Sequence, residues 1–233
     1  MVIPTTIKPI IKENKEPLVQ IKPIMHRLFI YASYYEHNIP NSLKKVYLRE
    51  QTAKQLFVAL SYLPAQYSFI LYDGFRPLQV QQFLFEQIKQ KIRKKNPNWS
   101  VEEIQSETLK YVAFPSIEDG YPAPHLTGGA IDLTIGDADG NPLDMGTAFD
   151  ETTAQSATAY FESYPQENLV ALQNRRLLFN SMSLAGFKNY EEEWWHYDFG
   201  NVTWARKSGL KQAIYGPIHA TIKQNELKEY YFK

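Results

Sequence analysis

The stretch Pro124-His125-Leu126-Thr127-Gly128-Gly129-Ala130-Ile131-Asp132 constrains this chain more than any other. It sets an imidazole and a carboxylate seven positions apart, and both side chains suit a divalent metal such as zinc. Between them lie two glycines and an alanine. Gly128 and Gly129 permit backbone conformations closed to other residues and let another group approach closely. Residues 130–135 have strand character, so the stretch predicts a ligand loop running into a strand. Taken alone, His125 and Asp132 read either as metal ligands or as a hydrogen-bonded pair without metal.

A second stretch, Glu193-Trp194-Trp195-His196, tips that balance. A catalytic zinc site usually has three protein ligands and keeps a fourth position open. His125, Asp132 and His196 supply two neutral nitrogens and one carboxylate, leaving a net positive metal able to acidify water. Glu193, three residues before His196, is placed to accept that water's proton and later give it to a leaving amine. The spacing carries a geometric condition, because residues i and i+3 share a face in a helix but oppose each other in a regular strand. Either the 193–196 segment bulges, or Glu193 sits in a turn and bends back. Trp194 and Trp195 would then wall the metal off from water.

A third stretch is Asp73-Gly74-Phe75-Arg76-Pro77. Pro77 disfavours the helical region for Arg76, which places it extended at a strand-to-helix junction. Its fixed charge suits an oxyanion partner for amide hydrolysis. The competing reading is a salt bridge tying the strand end to the helix.

Around these stretches the pattern predicts one domain over residues 1–233, with an extended arm at 1–25. The tyrosine-rich region 26–47 either lines a cleft or packs on the core. Residues 46–63 read as a helix ended by Pro64, 67–72 as a buried strand, and 78–95 as a helix with Val80, Phe83, Leu84 and Ile88 on one face. The basic residues near 89–95 suit a solvated helix end. Ser100 and Glu103 form a capping-box pattern that opens a helix to about residue 112, followed by a loop over 113–124. Residues 136–142 read as a polar hairpin turn, because their carboxylates lack calcium-loop spacing. A helix over 169–184 is closed by Gly186. Residues 187–190 and 194–199 read as strands joined by the acidic turn Glu191-Glu192-Glu193, and the tail after Gly200 as irregular. The expected fold class is α+β, a small mainly antiparallel sheet flanked by helices, with the metal at the sheet face.

Composition narrows the function. The 25 basic and 25 acidic residues balance to a formal charge of +0, so nothing in the overall charge favours nucleic acid. Cysteine is absent, which excludes disulfides, thiolate metal sites and a cysteine nucleophile. No apolar run reaches the roughly 18–20 residues of a membrane span, and the N-terminus does not read as a signal peptide. The expectation is a cytoplasmic protein without membrane insertion, periplasmic if a leader has been removed. The sequence carries no signal for the oligomeric state.

At these motifs the chain resembles the D-alanyl-D-alanine dipeptidases, the VanX-like branch of the zinc D,D-peptidases. The wider family's Ser-x-His-x6-Asp and Glu-x-x-His read here Ala123-Pro124-His125 to Asp132, and Glu193 to His196. The dipeptidase branch's Asp-Gly-(Tyr/Phe)-Arg-Pro is matched by Asp73 to Pro77. Its Met-Gly-x-x-Phe-Asp is matched by Met145 to Asp150, and a Tyr-Ala-Thr-like segment loosely by Tyr31-Ala32-Ser33. The resemblance implies one Zn2+ per chain on His125, Asp132 and His196, Glu193 as general base and acid, and Arg76 as transition-state stabiliser. It implies Asp150 as holder of the substrate's free amine, Tyr31 as a substrate contact, and a small D-dipeptide such as D-Ala-D-Ala as substrate. Ala123 in place of the family serine removes a hydroxyl from the substrate-binding wall. The competing readings are a peptidoglycan D,D-carboxypeptidase or endopeptidase on the same metal site, and a binding module that keeps the fold without the chemistry.

Overall fold

Along residues 130–137 apolar Ile131, Leu133 and Ile135 alternate with Asp132 and Thr134. In a strand such residues face opposite ways, so one face must meet a core and the other something polar. The computed structural model describes residues 8–117 and 121–232. Its elements run β1 (Ile10–Ile11), β2 (Leu18–Gln20), β3 (Leu28–Ile30), α1 (Ser33–Glu36), β4 (Tyr47–Arg49), α2 (Glu50–Tyr62), β5 (Tyr67–Asp73), α3 (Leu78–Lys95), α4 (Val101–Thr108) and β6 (Ala130–Asp137). They continue with α5 (Tyr160–Ser163), α6 (Leu169–Leu184), β7 (Lys188–Asn189), β8 (His196–Asp198), α7 (Val202–Lys207), β9 (Gln212–Ala213), β10 (Ile218–Lys223) and β11 (Glu226–Phe232).

Five strands form the central sheet in the order β3-β5-β6-β8-β7. Only β3 and β5 are parallel, and the other three pairings are antiparallel. Ile131, Leu133 and Ile135 join Leu56 and Leu60 of α2, Leu178 and Met182 of α6, and Tyr197 of β8 in one buried core. Asp132, His196 and Asp198 therefore point to the opposite face, away from that apolar layer. The expected α+β class with its site on the sheet face holds.

Helix α3 spans the expected residues, as does α6, and α4 opens with the expected capping box between Ser100 and Glu103. Four readings need correction. Residues 47–49 form strand β4, paired with β2, so the helix expected from residue 46 starts at Glu50. Helix α4 stops at Thr108, short of 112. The side of α3 turned inward carries Val80, Gln81, Phe85 and Ile92, while Phe83, Leu84 and Ile88 stay half-buried. The tail after Gly200 is regular, not irregular. Asn201 caps α7 by accepting from Trp204 N, and β10 and β11 form a hairpin. Gln224 and Asn225 between them both have positive φ (52° and 61°), the geometry of a tight two-residue turn. Within the arm, residues 10–11 and 18–20 pair with β9 and β4, and the arm's first seven residues lie outside the described ones.

Candidate active site

The loop that carries His125 is a single turn of 3-10 helix, Pro124–Thr127, ended by Gly128 at φ +68°. That left-handed conformation is costly for any side chain with a Cβ. At Gly129 the constraint is space, since a Cβ there would lie 2.3 Å from the Phe199 carbonyl oxygen. The two glycines thus do the two jobs expected of them, one turning the chain and the other admitting a neighbour.

His125 enters the site from this loop, Asp132 from β6 and His196 from β8. Asp132 and His196 are direct partners in the antiparallel ladder, and Asp73 faces Asp132 across β5. A bulge between Leu71 and Asp73 brings that aspartate into line. His125, Asp132 and His196 are 4%, 1% and 6% exposed. Their ligand atoms lie within 4.8 Å of one another.

The hydrogen bonds fix which nitrogens face inward. His125 Nδ1 donates to the Gly74 carbonyl oxygen at 2.8 Å, and a carbonyl can only accept. In the neutral ring Nε2 is then a bare lone pair, 3.2 Å from Asp132 Oδ2 and 3.1 Å from His196 Nδ1. His196 Nδ1 lies 3.0 Å from Asp132 Oδ1, and its Nε2 lies 3.2 Å from Asp198 Oδ1. Asn201 Nδ2 donates to the same Asp198 oxygen. Burial opposes charge on the His196 ring, but Asp198 and Asp132 outweigh it and raise its pKa well above the ordinary value. His125 Nε2, an Asp132 oxygen and His196 Nδ1 thus converge in one buried cluster, and two imidazoles with one carboxylate are a donor set suited to zinc.

Arg76 is tied down on every side. Nε donates to Asp73 at 2.8 Å, Nη1 to Gln81 Oε1 at 2.9 Å, and Nη2 to the Tyr34 hydroxyl at 3.1 Å and Asp132 Oδ2 at 3.2 Å. Of the two readings of Arg76, these contacts supply the tie between strand end and helix. Arg76 bridges the end of β5 to α3, and it borders the ligand cluster.

Glu193 lies in the turn before β8 and bends back, the second of the two geometries anticipated. Its N–H donates to the Tyr190 carbonyl, and Asn189 Nδ2 donates to the carbonyls of both Glu193 and His196. The half-buried carboxyl lines the cleft. Burial pushes its pKa up to about 8; His196 and Arg76 oppose this, and Asp132 and Asp150 add to it. Trp195 lines the cleft as expected, but Trp194 turns away, donating from Nε1 to Thr147 Oγ1.

Asp150 borders the cleft at φ +60°, a left-handed conformation that Asp and Asn tolerate. It accepts from the buried Tyr34 hydroxyl at 2.9 Å. Loss of water around the carboxyl raises its pKa to about 6, an effect tempered by the residue's exposure to the cleft. Buried Arg175 holds its loop by donating to the Met145 and Ala157 carbonyls. Tyr31 is not brought into this group. It is 44% exposed and stands edge-on to His37 and Tyr72, while Tyr34, three residues on in α1, takes the inward position. Sequence reasoning missed Tyr34, Gln81, Asn189, Arg175 and Asp198. Only Asp198 left a usable signal, its place two residues beyond His196 on one strand face.

Comparison with known proteins gives a consistent picture. The peptidase family described as D-ala-D-ala dipeptidase matches residues 22–213. A Synechocystis protein named D-alanyl-D-alanine dipeptidase is 28% identical over 213 residues, which cover 85% of this chain and 84% of the relative. An Escherichia coli K12 protein of the same name is 34% identical over 130 residues, covering 55% of this chain and 53% of the relative. Among solved structures, VanYB in complex with D-alanine-D-alanine aligns with a TM-score of 0.43 at 15% identity, over 72% of this chain and 82% of that one.

Proposed function

The chain belongs to the D-Ala-D-Ala dipeptidase family, and on that premise we propose that it hydrolyses free D-Ala-D-Ala, or a close D-dipeptide, at a zinc held by His125, Asp132 and His196. The observation that carries this reading is the convergence of those three ligand atoms beside Arg76 and Glu193 in one cleft. When bound, zinc supplies a Lewis acid that acidifies water and polarises a carbonyl.

The chain's own residues do the rest. Glu193, whose carboxyl lines the cleft, takes the proton from the attacking water. The water oxygen bonds to the peptide carbon, and Arg76 stabilises the negative charge that develops on the carbonyl oxygen. As the C–N bond breaks, Glu193 returns the proton to the departing nitrogen. Asp150, oriented by Tyr34, holds the ammonium group of the first residue. Trp195 and Phe149 pack together at 5.6 Å on the cleft wall and exclude water.

The same site on a D,D-carboxypeptidase would accept a blocked amine, whereas Asp150 suits a free one. Turnover of D-Ala-D-Ala is therefore compared with that of N-acetylated D-Ala-D-Ala peptides, with zinc and with a chelator. Zinc-dependent cleavage of the free dipeptide in preference is expected, and preference for the blocked peptide overturns the reading.

A further inference from the structure

The cleft is larger than the proposed substrate. Its volume is about 670 Å³, and cavities of roughly 300–1,000 Å³ ordinarily hold drug-sized ligands. Its parts can be ordered by the two prongs of Arg76. Nη2 reaches the Tyr34 hydroxyl, which donates to Asp150. Nη1 reaches Gln81, whose amide donates to the Ala113 carbonyl at 2.8 Å. Asp150 and the segment at Ala113 thus connect to different prongs of the guanidinium, Asp150 through Tyr34 on Nη2 and Ala113 through Gln81 on Nη1.

Beyond Gln81 the cleft continues along α3 for about 10 Å, as a helix rises roughly 1.5 Å per residue to Ile88. Its wall there carries apolar Leu84 and Ile88 from α3, and Leu109, Val112 and Phe114 from the segment after α4, alongside the polar Gln87, Lys91 and Lys110. Leu109 and Phe114 remain 46% and 50% exposed, although Phe114 also packs edge-on against Phe85 of α3 at 5.4 Å. Ala123 completes this side as a methyl group beside His125. Partly exposed apolar side chains grouped in the wall of a reaction cleft suit an apolar part of a ligand.

We infer that this annex is the pocket for the departing residue's side chain, and that it takes D-dipeptides whose C-terminal residue is bulky and apolar. The inference rests on the proposed dipeptidase reading. With the free amine at Asp150, the first residue lies on the Tyr34 side and the departing residue must lie on the Gln81 side. Apolar burial there is available equally in the ground and transition states, so it lowers KM more than it raises kcat.

The test is a kinetic panel on the zinc-loaded protein: D-Ala-D-Ala, D-Ala-D-Leu, D-Ala-D-Phe, D-Ala-D-Glu, D-Phe-D-Ala and D-Ala-D-Ala-D-Ala. Expected is kcat/KM for D-Ala-D-Phe at least tenfold above D-Ala-D-Ala, mostly through KM, with D-Phe-D-Ala poorer than both. Leu109→Ser and Phe114→Ser, at exposed positions that folding tolerates, each lower the ratio of D-Ala-D-Phe to D-Ala-D-Ala turnover severalfold. Cleavage of D-Ala-D-Ala with D-Ala-D-Phe tenfold poorer overturns the annex alone. Preference for D-Ala-D-Glu assigns it to the nearby Lys91, and preference for the tripeptide assigns it to a third residue; either overturns the inference. No cleavage of any member overturns the dipeptidase reading and the annex with it.

Discussion

Arg49, wholly buried, donates from Nε to the Thr127 carbonyl oxygen at 2.8 Å, two residues from His125. The same guanidinium makes a two-pronged pair with Glu13 and donates to the Glu16 and Gly216 carbonyls. The metal loop is thus braced from behind by the N-terminal arm and the segment before β10. Removing one partner of a buried ion pair leaves the other uncompensated and costs about 3–5 kcal/mol. Arg49→Met is expected to lose stability of that order in denaturant unfolding, and Glu13→Gln less.

Metal removal should be felt in stability as well as rate. His125 Nε2, Asp132 and His196 Nδ1 lie together in one buried cluster, so a cation bound there would tie the loop, β6 and β8 to one another. A ligand at about 1,000 times its Kd adds about 4 kcal/mol to folding stability. Chelation is expected to abolish turnover and lower Tm by several degrees, and zinc to restore both. An unchanged Tm with full loss of turnover would place the metal elsewhere.

Glu193→Gln separates the base from the ligands. Loss of a positioned base typically costs about 10²–10⁴ in rate. The expected variant keeps its zinc, measured by metal analysis, and loses kcat by that factor. Retained kcat rules Glu193 out as the base.

Asp150 gives the pH dependence a sign. An ammonium binds the ionised carboxyl, which in the empty cleft has its pKa raised toward about 6. As pH falls through the window between about 6 and its ordinary value of 3.8, KM should rise, approaching tenfold per unit. Asp150→Asn keeps the left-handed backbone and the acceptor for Tyr34. It should raise KM at pH 7 and flatten this limb.

Asp198 is a positioning residue for His196. Partners of this kind typically contribute about 10–100-fold to metal affinity. Asp198→Ala should weaken zinc binding within that range in competition with a chromophoric chelator, while Asp198→Asn, which keeps an acceptor for His196 Nε2, should recover part of it.

The residues proposed to bear the chemistry were the legible ones. His125, Asp132, Glu193, His196 and Arg76 stand in short motifs whose spacing follows from strand and turn geometry, and the structure gathers them in one cleft. What stayed hidden depends on distant pairing. Residues 47–49 read as the start of a helix because their strand identity comes from β2, almost thirty residues earlier. Tyr34 outranks Tyr31 only because α1 turns it toward Arg76 and Asp150. The hairpin after Gly200 lacks the Asn-Gly or Gly-Gly pair that would have marked its turn.

Asp73, Asp132 and His196 face one another across three neighbouring strands. The spacing of such positions is fixed at about 4.8 Å by peptide hydrogen bonds that are the same in every sheet. The cleft walls come from other material: the α3–α4 region and the loop that carries Asp150. The strand-borne part of the proposed cutting site and the walls proposed to choose the substrate thus come from different elements, joined where Arg76 meets Gln81. Lengthening a wall or replacing Ala123 leaves the ladder's ruler untouched, so substrate choice can drift under selection while the cutting geometry stays where the sheet put it.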